Sequence, residues 1–230
     1  MTSFFQNSVF FGVLLSLGSY SIGLILKQKT GWSLMNPLLV SIILVISVLL
    51  LTGVSYTSYN AGANCLSYLL TPATICLAVP LYQQVELLKK NYRAVIAGIV
   101  SGVLASLCSV LLLALLFHFN HENYVTFLPK SITTAIGISV SEELGGNVSI
   151  SVAVIIITGV LGNIFADKFL KLAKIQEPIA KGIAIGCSSH ALGTARAMEM
   201  GTIEGAMSSL SIVVCGIMTV IAASLFALIM

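Results

Sequence analysis

Five apolar runs dominate the chain, at about 8–26, 38–54, 93–117, 149–166 and 206–229, and they carry almost no charge. A helix that crosses hydrocarbon needs roughly 20 such residues. The runs are continuous rather than alternating, which excludes a membrane β-barrel, since its strands alternate apolar and polar faces. Eleven Lys and Arg and eight Asp and Glu are spread over 230 residues, so 8% of the chain is charged and mean hydropathy is +1.04. Soluble domains carry roughly 25% charged residues. A water-facing surface cannot be built from this set. A soluble enzyme, a disordered chain and a nucleic-acid binder are excluded. The expected fold is an all-α, polytopic membrane helical bundle, a single domain over residues 1–230 with the lipid bilayer as its solvent.

The first basic residue is Lys27, after the first apolar run, so the charged start of a secretory leader is missing and residues 8–26 are expected to stay as an anchor. The five cysteines, Cys65, Cys76, Cys108, Cys187 and Cys215, form no C-x-x-C pair and read as small apolar residues. Cys187 and His190 make one C-x-x-H pair, half of a zinc site at most. Neither a metal nor a cofactor is expected.

Three further apolar stretches are interrupted: Asn60 to Gln84, with T-P-A-T-I-C-L-A-V-P-L-Y at 71–82; Leu128 to Gly146, with L-P-K-S-I-T-T-A-I; and Pro178 to Gly201, with G-C-S-S-H-A-L-G-T-A-R at 186–196. Each mixes Pro or Gly with Ser, Thr and a charge. Proline removes a backbone donor, and broken backbone at membrane depth survives only where protein or a wet cavity covers it. These stretches are the candidate site.

An offset of 57 residues aligns 72–104 with 129–161 and gives ten identities in 33 positions, among them Pro72/Pro129, Glu86/Glu143 and Gly102/Gly159. The candidate repeat copies are about 60–117 and 119–170. Lys89, Lys90 and Arg93 precede the run at 93–117, whereas Lys168, Lys171, Lys174 and Lys181 follow the run at 149–166. If both clusters face the cytoplasm, the two runs are opposed in direction, as in inverted repeats. The segment 119–147 then starts and ends on one side, so it is re-entrant or a broken hairpin.

A helix that starts inside a membrane offers free N–H groups, which favour a carboxylate. Pro72 precedes Thr74, and Pro129 precedes Ser131, Thr133 and Thr134; hydroxyls with free amides make a carboxylate cradle. Packing hydroxyls bonded to i−4 carbonyls are the simpler alternative. Lys130 can supply a positive charge or snorkel to an interface. Ser188, Ser189, His190 and Arg196 lie in a small, apolar stretch. Arginine can grip a carboxylate with two bonds, and histidine can relay a proton. His190, Glu142 and Glu143 are the proton-coupling candidates. The chain has no G-x-S-x-G, H-E-x-x-H or phosphate-binding P-loop, and no enzymatic activity is expected.

The three interrupted motifs, together with E-G-A at 204–206, N-P-L-L-V at 36–40 and L-T-G-V-S-Y at 51–56, resemble the LrgB/CidB family over almost the whole chain. The resemblance implies a multi-pass protein of the bacterial cytoplasmic membrane, often paired with a small holin-like LrgA/CidA-type partner and expected to form homo-oligomers. It implies two functions. One is carriage of small carboxylates such as pyruvate or glycolate; proton coupling is the mechanism that a titratable His190 in a carboxylate site favours. The other is antiholin-like control of murein hydrolases and cell lysis. Broken helices with polar groups at membrane depth favour the carrier.

Overall fold

The computed structural model describes residues 9–31, 35–76 and 78–230, all helices and connecting turns with no strand among them. The chain divides into two compact units, Met1–Cys76 and Leu77–Met230.

In the first unit, α1 (Val9–Thr30) packs on α2 (Pro37–Thr52) and α3 (Tyr56–Ala63). Gly23 allows this contact: a Cβ there would lie 2.7 Å from the Pro37 carbonyl oxygen. Asn36 starts α2 by accepting hydrogen bonds from the Leu38 and Leu39 amides, with Pro37 at the first helical position. Gly53 ends α2 in the left-handed region at φ 66°. This glycine corrects the expected span at 38–54. Sixteen residues reach about 24 Å, short of the roughly 30 Å hydrocarbon thickness. A 3-10 turn, Asn64–Leu69, then leads into α4 (Leu70–Cys76). Pro72 is the third residue of α4, which continues directly from the 3-10 turn.

The second unit holds α5 (Ala78–Gln83), α6 (Val85–Leu116), α7 (His121–Phe127), α8 (Thr134–Glu143), α9 (Val148–Leu172), α10 (Pro178–Met200) and α11 (Thr202–Ala227). Among the described residues, five stretches are long and apolar enough, by length and composition, to cross a bilayer: Phe10–Thr30, Tyr56–Gln83, α6, α9 and α11. Polarity is turned inward. Ser141, Ser151, Thr194, Ser208 and Ser211 are fully buried, while Leu112, Ile157, Ile217 and Ile221 are more than half exposed. Water would not tolerate that surface, and hydrocarbon does. The protein is a multi-pass membrane protein.

Between the long helices lie two hairpins that enter the bundle and turn back. In the first, Thr126 of α7 bonds both Asn147 and Ser151 at the start of α9, Ser141 of α8 bonds Ser151 at 2.7 Å, and Gly137 sits on Ile155. Segment 118–147 therefore enters and leaves at one end, with residues 128–133 at its tip. The second hairpin is α10 itself. His190 has φ 42° and ψ −138°, and the chain reverses there. A Cβ on Gly193 would lie 2.8 Å from Ile185 Cγ2, whereas eight residues of straight helix would separate them by about 12 Å. The same reversal shows against α11: Gly182 and Gly186 meet Glu204 and Ser208 on the way in, and Thr194 and Met198 meet Ser208 and Gly205 on the way out.

Gly98 and Gly102 of α6 meet Ile183 and Cys187 of α10, so both helices start at one end of the unit, where α9 finishes. Thus α6 and α9 are antiparallel, and Lys89, Lys90, Lys168, Lys171, Lys174 and Lys181 share what we call the basic end. Single cysteines at positions 90 and 171, in a cysteine-free background, are expected to react with an impermeant thiol reagent from the same face of the membrane. Labelling from opposite faces would refute this arrangement.

Candidate functional site

The tips of the two hairpins approach each other around one cavity of about 1170 Å³ within the second unit. Its α6 wall is made of small residues from Ala94 to Ser109, and α9 supplies Thr158, Leu161 and Phe165. Most of the wall is apolar. Polar residues line it along α6 (Asn91, Ser101, Ser106 and Ser109) and at Thr158, and the two tips add Lys130 and Ser131 on one side and Ser188 and Ser189 on the other. Glu177 lines the cavity from the N-cap of α10, at the basic end.

Lys130 is held rather than neutralised. Its Nζ donates to Ser106 Oγ at 3.2 Å and to Ser131 Oγ at 3.3 Å, and the two serines are joined at 2.9 Å. An ammonium has three N–H donors, so one remains for a solute. Among the described residues no carboxylate lies within ion-pairing distance of it. A half-buried cation among hydroxyls, in an otherwise apolar cavity, suits an anion with a small apolar body.

The second tip is fixed from behind. His190 Nε2 lies 3.0 Å from the Ile155 carbonyl oxygen, and since a carbonyl only accepts, Nε2 carries the hydrogen. Asn163 Nδ2 donates to the Leu192 carbonyl at 2.6 Å, and Thr194 Oγ1 donates to the His190 carbonyl at 2.9 Å. Gly159 leaves the room: a Cβ there would lie 2.6 Å from His190 Cε1. At Gly162 it would overlap the Ser189 side chain.

The candidates read from sequence separate as follows. Lys130, Ser131, Ser188 and Ser189 come together in the cavity wall. His190 is buried directly behind Ser189, turned toward α9. Pro129 is buried at the first tip, 3.6 Å from the Gly137 Cβ position, and does not line the cavity. Thr133 is the N-cap of α8 but makes no side-chain capping bond, and Thr134 follows it; neither lines the cavity. Arg196 lies elsewhere, donating from Nε to Asp167 Oδ2 at 3.0 Å and paired also with Glu199. Glu142 and Glu143 are exposed at the end opposite the basic one. Pro72 belongs to the first unit and is exposed, and the Thr74 side chain lies outside the described residues.

Ser106 and the glycine seat on α9 escape a reading that treats 93–117 and 149–166 as plain spans. Their signal is small and polar residues at helical spacing inside an apolar run: Gly98, Gly102 and Ser106, then Gly159, Gly162 and Asn163.

Residues 16–229 match the LrgB-like family. The antiholin-like protein LrgB of Bacillus subtilis (strain 168) is 40% identical over 220 residues, which cover 95% of each chain. No solved structure matches this chain. A family match over nearly the full length and a relative alike from end to end leave one assignment: the chain belongs to the LrgB family.

Proposed function

We propose that this protein is a carrier for small monocarboxylates, of the size of pyruvate or glycolate, in the bacterial cytoplasmic membrane. The observation that carries this reading is the cavity between the two hairpin tips, with Lys130 free of any carboxylate. The carboxylate sits on the third Lys130 donor and on the serine hydroxyls of both tips. The apolar body lies against the small residues of α6. Two hairpins that enter from opposite ends give each side of the membrane its own gate. Orientation follows the positive-inside rule, with the basic end in the cytoplasm. In this reading the coupling proton is taken by His190 Nδ1, the ring nitrogen not committed to Ile155.

A second reading is favoured by the name of the Bacillus subtilis relative: antiholin-like control of lysis together with a small holin-like membrane partner. The two are separated by uptake of radiolabelled pyruvate and glycolate in a strain lacking the protein and supplied with it, with and without the holin-like partner. Uptake that depends on this chain alone supports the carrier and is expected to rise as external pH falls. No uptake in either strain, with lysis altered only when the partner is present, would leave the antiholin-like reading.

A further inference from the structure

Two thiols meet inside the second unit. Cys187 lies on the arm of α10 that runs in from the basic end, one residue before Ser188 of the second tip. Cys215 lies in the middle of α11. Both are free and buried, and Cys215 Sγ donates to Cys187 Sγ at 3.0 Å. Cys65, Cys76 and Cys108 are exposed.

Close packing on two sides holds the pair together. Gly186, next to Cys187, sits on α11: a Cβ there would lie 2.5 Å from the Ser208 carbonyl oxygen and 2.7 Å from Ser211 Cβ. Gly102 of α6 makes room on the other side, where a Cβ would lie 2.9 Å from Cys187 Cβ. The Cys187 side chain is therefore confined between α6 and α11, with Cys215 beside it. An S–S bond of about 2.05 Å asks for a further approach of about 1 Å.

The two sulfurs differ in access. Cys187 lines the cavity between the hairpin tips, and Cys215 does not. A reagent of the size of water that enters this cavity reaches Cys187 first. An accessible thiol backed by a second thiol is the arrangement in which one sulfur is oxidised and the other closes a disulfide.

We propose that Cys187 and Cys215 form a peroxide-oxidisable dithiol, and that their disulfide pins the inward arm of α10 to α11. The Cys187 sulfur attacks one oxygen of hydrogen peroxide, the O–O bond breaks, and a sulfenic acid and water form. The Cys215 sulfur then attacks the Cys187 sulfur. The S–O bond breaks, and the hydroxyl leaves as a second water with the Cys215 proton. The two thiols lose two protons and two electrons, and the peroxide takes up both. Disulfides in a reducing compartment are transient, so the bond acts as a reversible brake on the second tip. The effect on carriage rests on the carrier reading; the oxidation does not.

The test uses the full chain in neutral detergent, in a C65S/C76S/C108S background that leaves only the pair. Micromolar hydrogen peroxide is expected to lower the intact mass by two hydrogens. Both thiols are then closed to N-ethylmaleimide after unfolding, and a phosphine reductant restores them. With Cys215→Ser added, the same dose is expected to leave a sulfenic acid at Cys187 that dimedone traps. Disulfide mapping of the unmodified chain reads the bond between 187 and 215 without any variant. The oxidised background protein is expected to unfold several degrees higher than the reduced one. In vesicles it is expected to lose most of its monocarboxylate uptake until it is reduced. Absence of the bond from both the background variant and the unmodified chain overturns the proposal. So does oxygen added at Cys187 without a bond, or a bond formed only between copies. A bond that changes neither Tm nor uptake overturns the pinning. Reduced protein that carries nothing refutes the carrier reading alone, and mass and Tm then decide this proposal.

Discussion

Lys130→Gln is expected to reduce monocarboxylate uptake at low substrate concentration by about 10- to 100-fold. The figure is the fold-change for a charge-assisted hydrogen bond of about 1.5–3 kcal/mol. Glutamine keeps a donor and much of the length, so Ser106 and Ser131 retain a neighbour and the tip keeps its shape. What disappears is the charge, and the cavity offers no other cation near the tips to replace it. Lys130→Arg keeps the charge but changes the reach and the donor geometry, so partial uptake is expected. Initial rates at several substrate concentrations, corrected for protein in the membrane, check both. Wild-type uptake in the glutamine variant would remove the anion from this cavity.

Gly159→Ala should cost about 1–3 kcal/mol of stability, the usual range for overpacking a close contact. The new methyl would stand 2.6–2.7 Å from the imidazole of His190 and 2.8 Å from Leu192 Cδ1. Leucine can rotate away. The imidazole cannot without giving up its bond to the Ile155 carbonyl. His190→Gly removes the ring and suits the backbone at φ 42° and ψ −138°, so the alanine should be tolerated much better in that background. Thermal unfolding of the two single variants and the double variant gives a coupling energy. Simple additivity would mean that Gly159 and His190 do not hold the tip together.

Legibility in the sequence was uneven, for physical reasons. Continuous apolar runs at 8–26, 93–117, 149–166 and 206–229 can only be solvated by hydrocarbon, so the helical membrane bundle follows from composition and length. Proline, glycine and hydroxyl residues at 128–134 and 178–201 mark broken backbone by local chemistry alone, and both stretches do turn back inside the unit. The end of α2 was less legible, because Gly53 could have continued a helix and instead takes the left-handed conformation that stops it. Arg196 was ambiguous for another reason. Its main partner, Asp167, is 29 residues away, and only the return of α10 beside α9 brings them together. The same holds for the cavity. Lys130 and Ser106 are 24 residues apart, and Ser131 and Ser189 stand on different hairpins. The sequence alone determines that the chain lives in a bilayer and is helical, and it marks three stretches as broken, of which only 128–134 and 178–201 turn back inside the second unit, since proline, glycine and hydroxyl chemistry signals a break but not a reversal. Which of those polar groups share a cavity, and which are spent on holding the tips in place, is decided only by tertiary packing, because the glycines of α6 and α9 set how closely each tip can approach.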